Sequence, residues 1–166
     1  ERLARVLQLR PDMTLAEIGA GRGELTVEMA RRVPQGRVYS TEIDRARLRD
    51  IERRAADAGL GNVTVIEAGE RESQLPPGCC DAVFMREVYH HFSDAEHTTR
   101  TIHRALKPGG LLAVIDYPKR GELYGGDCHC MPKDELITQV SALGFEVVAD
   151  EDAWAGIRYL VVFRKR

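Results

Sequence analysis

Apolar positions along the chain alternate between two rhythms: short strand-like runs, and longer stretches in which apolar residues recur at helical spacing. Residues 14–18 (TLAEI) form an apolar run that stops at Gly19 and predict a first strand. Residues 24–32 carry Leu25, Met29 and Arg32 at helical spacing, and Pro34-Gln35-Gly36 is a turn. Residues 37–43 (RVYSTEI) are rich in β-formers and predict a second strand. Asp44 caps a helix reaching about residue 58, with Leu48, Ile51 and Ala55 on one face and Gly59 and Gly61 ending it. Residues 62–67 predict the third strand and 75–78 (LPPG) a loop, while 81–85 (DAVFM) is the continuous apolar run of a strand covered on both faces.

The second half repeats the rhythm. A helix over 94–106 turns Ile102, Ala105 and Leu106 inward, Lys107-Pro108-Gly109-Gly110 reads as a sharp turn, and 111–115 predict a fifth strand. A glycine-rich loop over 118–132 leads to a helix over 133–143, with Leu136, Ile137, Val140 and Leu143 inward and Gly144 at its end. Strands over 145–148 and 158–163 close the chain, and the gap between them is too short for a crossover helix, so they pair as a hairpin. No internal repeat is present. The pattern predicts a doubly wound α/β fold, its sheet mostly parallel with an antiparallel last strand.

A length of 166 residues makes this one domain over 1–166. With 43 % hydrophobic and 30 % charged residues, disorder is excluded as the main state. The 24 basic and 26 acidic residues nearly balance, which argues against a bulk electrostatic grip on nucleic acid. No window offers the roughly 18 consecutive apolar residues of a membrane span. The opening ERLARVLQLRPDM has no signal-peptide pattern and no initiator Met, so a cytoplasmic location is the expectation unless residues preceding Glu1 alter it. Cysteines stand in two local pairs, Cys79–Cys80 and Cys128–Cys130, neither a CxxC, and reduced thiols are expected.

The first strand runs into Glu17-Ile18-Gly19-Ala20-Gly21-Arg22-Gly23. In open α/β sheets ligands bind beyond the carboxyl ends of the strands, and glycines let backbone turn tightly and approach a ligand. Glu24 stands where a dinucleotide fingerprint needs its last glycine, so a diphosphate there would meet a carboxylate. At the end of the second strand, about 20 residues on, Glu42 can accept both hydroxyls of a ribose. Gly69-Glu70, after the third strand, can set an acid near the exocyclic amine of a base.

These residues resemble those of the class I S-adenosylmethionine-dependent methyltransferases, in their small-molecule branch. The matching stretches are the Glu17-to-Gly23 loop, Glu42, Asp81-Ala-Val-Phe84 followed by Val88-Tyr-His-His-Phe92, and Arg104-Ala-Leu-Lys-Pro-Gly-Gly110 leading into Asp116. The resemblance implies a seven-stranded sheet in order 3-2-1-4-5-7-6, with S-adenosylmethionine across the ends of strands one to four. It implies a cofactor site of Glu17, Gly19, Ala20, Gly21 and Gly23 toward the methionine, Glu42 and Ile43 at the ribose, Gly69 and Glu70 at the adenine, and Arg86 and Glu87 after strand four. The family often has Asp at the positions of Glu42 and Glu70, and Asn or Ser at that of Arg86. No Asn-Pro-Pro-Tyr-type tetrapeptide follows strand four, which disfavours amino-methylation of DNA bases or glutamine.

Methyl transfer is an in-line displacement, and a base is needed only where the acceptor atom carries a proton. His90 and His91, just past strand four, are the candidate catalytic residues, since imidazole titrates near neutral pH. Tyr89, Asp116, Tyr117 and His129 are the candidate contacts for a small-molecule acceptor. Cys128-His129-Cys130 does not aim three ligands at one zinc easily and lacks a fourth, so no metal is expected. Two other readings stay open: a non-catalytic module that binds cofactor or a partner chain, and an NAD-dependent oxidoreductase, which Glu24 and the lack of a Tyr-x-x-x-Lys pattern oppose. The acceptor, its reacting atom and the oligomeric state are not encoded in any motif.

Overall fold

Alternation along each strand deals side chains to two sheet faces, and here both faces are apolar. The chain is seen in a computed structural model that describes residues 1–118, 130–154 and 156–166. Its strands are β1 (Thr14–Ile18), β2 (Arg37–Glu42), β3 (Val63–Glu67), β4 (Cys80–Arg86), β5 (Leu106–Asp116), β6 (Phe145–Trp154) and β7 (Arg158–Lys165). The helices are α1 (Arg2–Val6), α2 (Glu24–Arg32), α3 (Arg45–Asp57), α4 (Ala95–Ala105) and α5 (Lys133–Ser141), with a single 3₁₀ turn over Tyr89–His91. The sheet has seven strands in order β3-β2-β1-β4-β5-β7-β6. Pairing is parallel from β3 through β5, and β7 runs antiparallel to both β5 and β6. This is the order that the resemblance implied.

On one face Ala16, Ile18, Val83, Met85, Leu112, Val114, Val161 and Phe163 pack under Ile102 of α4 and Leu136 and Val140 of α5. On the other, Leu15, Val38, Ala82, Phe84, Ala113, Leu160 and Val162 pack under Met29 and Ala30 of α2 and Leu3 of α1. Burying each large apolar side chain contributes roughly 1.5–3 kcal/mol, which makes this two-sided core the main force holding the sheet. Local signals set the helix starts. Asp44 Oδ1 accepts the Ala46 and Arg47 N–H groups at 2.7 and 3.2 Å, and Asp94 Oδ1 accepts that of His97 at 2.9 Å.

Three local expectations are corrected. Residues 107–110 are not a separate turn but an outward loop within β5, because pairing steps from Cys80–Leu106 to Ala82–Leu111 and leaves them opposite Asp81 alone. Asp81 anchors this bulge: Oδ1 takes Lys107 Nζ at 2.8 Å and Oδ2 takes the Thr14 N–H at 2.8 Å. Strand β6 runs past residue 148 to Trp154, with register breaks after Val147 and Glu151 that hide its period in the sequence. Cys79 and Cys80 are free thiols, but Cys130 is disulfide-bonded rather than reduced.

Candidate active site

The carboxyl ends of β1, β2, β3 and β4 and the amino end of antiparallel β7 lie along one rim, and a cavity of about 770 Å³ opens across it. The loop leaving β1 enters α2 through glycines in left-handed backbone. A Cβ on Gly19 (φ +65°) would come within 2.6 Å of Val88 Cγ2, so this close crossing of the β1 and β4 loops requires glycine. Gly21 (φ +57°) has nothing among the described residues within 4 Å of where a Cβ would sit, and it lines the cavity.

Glu42 is only 4 % exposed and is oriented by the backbone around it. Its Oε2 accepts the Gly21 N–H at 2.8 Å, and its Oε1 accepts those of Ile43 and Asp44 at 2.9 and 3.2 Å. Beneath the loop Glu17 is buried, with Thr26 Oγ1 donating to its Oε2 at 2.5 Å and Ser40 Oγ 2.8 Å from Thr26 Oγ1. Burial pushes the Glu17 carboxyl up to about 7, against the opposing pull of the Thr26 hydrogen bond and the Arg86 guanidinium.

Of the residues expected at a ligand site, Glu17, Gly19, Ala20, Gly21, Glu42, Ile43, Gly69, Glu70, Arg86, Glu87 and His91 line the cavity. Gly23 does not. It caps α2 in left-handed backbone, where a Cβ would meet Ile51 at 3.1 Å, so its role is the packing of α2 on α3. Tyr89, expected to face an acceptor, is instead a core residue at 1 % exposure; its hydroxyl meets Gln139 and Thr99, and burial raises its pKa.

His90 and Asp116 face each other. His90 Nδ1 lies 2.7 Å from Asp116 Oδ1, which also accepts the Tyr117 N–H at 2.8 Å. An ionised carboxylate has no proton to give, so opposite ionised Asp116 the Nδ1 is the donor. Asp116 is wholly buried, which raises its pKa, and its Oδ2 has no hydrogen-bond partner among the described residues. The His90 ring centre is 4.1 Å from that of His91, so the Asp116–His90 pair backs the histidine that lines the cavity. Tyr117 accepts at its hydroxyl from Arg158 Nη2 at 2.7 Å. His129 lies outside the described residues, and among the described residues no group of three or more His, Cys, Asp or Glu could hold a metal ion.

Sequence reasoning missed Arg158. No motif marks it, and only the antiparallel course of β7 brings its first residue to the rim, where Nε donates to Glu87 Oε1. It also missed Thr26, whose position in the first turn of α2 lets its hydroxyl reach Glu17.

A family profile described as a methyltransferase domain matches residues 15–110. The ubiquinone/menaquinone biosynthesis C-methyltransferase of Vibrio parahaemolyticus is 30 % identical over 112 residues, covering 66 % of this chain and 43 % of that curated relative, so the chain spans less than half its length. Among solved structures, an S-adenosylmethionine-dependent methyltransferase from Aquifex aeolicus superposes with a TM-score of 0.90 at 20 % identity, covering 99 % of this chain and 88 % of that one. The [4+2]-cyclase SpnF does so with a TM-score of 0.86 at 18 % identity, covering 99 % and 78 %. At these identities the likeness to solved structures is one of fold.

Proposed function

The chain belongs to the class I S-adenosylmethionine-dependent methyltransferases, and from that membership we propose that it transfers a methyl group from S-adenosylmethionine, in line, to a small-molecule acceptor. The observation that carries this reading is the pairing of Gly21 with Glu42: open space over a glycine backbone beside a carboxylate held by three N–H donors. The cavity volume of about 770 Å³ falls within the roughly 300–1,000 Å³ usual for small-molecule sites. A nucleoside with a short amino-acid arm fits this donor set. Glu42 is assigned the ribose hydroxyls through its remaining lone pairs, and Glu70 with Gly69 the adenine amine. Ile43, an apolar side chain left 60 % exposed on the cavity wall, is assigned the flat face of the base. Glu17, Gly19, Ala20, Gly21 and Arg86 are assigned the methionine portion.

When bound, S-adenosylmethionine supplies an electrophilic methyl carbon on a sulfonium sulfur. The protein's work is then mainly to hold the acceptor atom in line, and alignment of that kind contributes roughly 7–11 kcal/mol to a rate. Where the acceptor atom bears a proton, His91 takes it from the cavity wall, with His90 and Asp116 holding the imidazole pair in register. A cytoplasmic location and a single domain over 1–166 belong to the same reading, as does the absence of a nucleic-acid partner, which the nearly balanced charge supports. No helix among the described residues is long and apolar enough to cross a membrane.

Calorimetric titration with S-adenosylmethionine, S-adenosylhomocysteine and NAD tests the cofactor: the first two bind and the third does not, and the reverse overturns the reading. S-adenosylhomocysteine release against a panel of phenols, alcohols, amines and thiols tests turnover. Cofactor binding without turnover on any of them favours a non-catalytic cofactor-binding module.

A further inference from the structure

Four non-glycine residues among those described adopt left-handed backbone, Gln8, Gln74, Glu87 and Ala153, and of these only Glu87 lines the cavity. A side chain in that region is strained, and such strain persists where the surroundings over-determine it. Two restraints hold Glu87 at φ +59°. Its N–H donates to the Ile115 carbonyl at 2.8 Å, and its Oε1 accepts from Arg158 Nε. Arg158 also donates to the Tyr117 hydroxyl, and its guanidinium carbon stands 4.8 Å from the Tyr117 ring centre. One guanidinium therefore ties together the rim ends of β4, β5 and β7. The second carboxylate oxygen, Glu87 Oε2, has no hydrogen-bond partner among the described residues, and the side chain is 32 % exposed. Glu70 and Glu42 follow β3 and β2, whereas the Glu87–Arg158 pair joins β4 to β7, on the side of β1 away from those two strands and directly after Arg86.

Resting on the reading that the cavity seats S-adenosylmethionine, we propose that Glu87 selects the acceptor: its Oε2 takes a hydrogen bond from an O–H or N–H of the acceptor, and Arg158 is the positioning residue that holds the carboxylate there. The substrate class is a small neutral molecule bearing an alcohol, phenol or amine proton. Such a contact discriminates by presence or absence of the donor, because an analogue without it displaces water from the carboxylate oxygen and leaves that oxygen unmatched.

The test needs no knowledge of the natural acceptor. Calorimetry with S-adenosylhomocysteine on wild type, Glu87→Gln, Arg158→Met and Arg158→Lys reports the cofactor end, and all four dissociation constants agree within about twofold. Ligand-observed NMR on the S-adenosylhomocysteine-saturated protein then compares phenol with anisole, catechol with 1,2-dimethoxybenzene, and aniline with N,N-dimethylaniline. Wild type prefers the protic members by about tenfold, the discrimination worth one charge-assisted hydrogen bond. Glu87→Gln and Arg158→Met lose that preference, and Arg158→Lys restores part of it, which a merely structural role for Arg158 would not produce. Wild type failing to bind S-adenosylhomocysteine overturns the cofactor reading and this proposal with it. Normal S-adenosylhomocysteine binding with protic and methylated members bound alike, or with no protic member bound, overturns this proposal alone. So does a tenfold or greater loss of S-adenosylhomocysteine affinity in Glu87→Gln, which would return Glu87 to the cofactor.

Discussion

The Gly21 N–H donates to Glu42 Oε2 at 2.8 Å, so the glycine loop after β1 hangs from the carboxylate that ends β2. With the Ile43 and Asp44 N–H groups on the other oxygen, this carboxylate is oriented before any ligand arrives. Removing it leaves three backbone donors unmatched and, on the proposed ribose assignment, also withdraws a ligand contact. Glu42→Ala therefore weakens S-adenosylhomocysteine binding by about ten- to a hundredfold, or roughly 1.5–3 kcal/mol. Glu42→Gln does nearly as much harm, since its amide group turns N–H toward N–H. An unchanged dissociation constant in Glu42→Ala would sink the ribose assignment.

Gly21 makes the same point from the other partner. Its left-handed backbone costs a side chain about 1–2 kcal/mol, and on the proposed reading the space beside it is the one a ligand fills. Gly21→Val folds, with a modestly lower melting temperature, and loses S-adenosylhomocysteine binding. Normal binding by the folded variant would show that the loop is not the cradle.

What the sequence made legible follows from where information is local. Glycine spacing, the apolar run 81–85 and the cap Asp44 act within a few residues, and the strands and helices they announce are present. The bulge at 107–110 was misread because its cause, the Asp81 carboxylate, lies on a neighbouring strand. Tyr89 was misassigned for a related reason: a single 3₁₀ turn after β4 rotates it into the core while its neighbour His91 lines the cavity. Arg158 carries no local signal at all, and its place at the rim is a property of sheet order.

Glu17 ties stability to pH. Its ordinary pKa of 4.5 is raised to about 7 in the folded chain, mainly by burial. Between these values the folded state holds a proton that the unfolded state has lost, so stability falls as pH rises across that window and levels off above it. The full span corresponds to roughly 3 kcal/mol. Glu17→Gln imitates the protonated form and keeps an acceptor for Thr26 Oγ1. The variant melts near wild type at about pH 5 and higher than wild type at about pH 8. A difference in melting temperature that does not change with pH would show that Glu17 ionises as an ordinary glutamate.

Turnover depends on the histidines in a graded way that the geometry specifies. His91 lines the cavity, so His91→Ala removes the group within reach of an acceptor proton and lowers turnover by roughly a hundredfold, the usual range for a positioned acid–base group. His90 acts one step back. Asp116 lies at hydrogen-bond distance from its Nδ1, and its ring packs tilted against that of His91 at 4.1 Å between centres, so His90→Ala removes one contact of the His91 ring and costs less than His91→Ala. Asp116→Asn presents either an amide N–H or a weaker acceptor to Nδ1, which loosens the same pair. None of the three touches the Gly21–Glu42 cradle, so S-adenosylhomocysteine affinity stays within about threefold in each. The measurement is single-turnover rate and pH profile for the three variants on one confirmed acceptor, with calorimetry alongside. Full activity in both histidine variants would mean that the acceptor needs no base and that alignment alone drives the transfer, whereas a larger loss in His90→Ala than in His91→Ala would make His90 the residue that meets the acceptor.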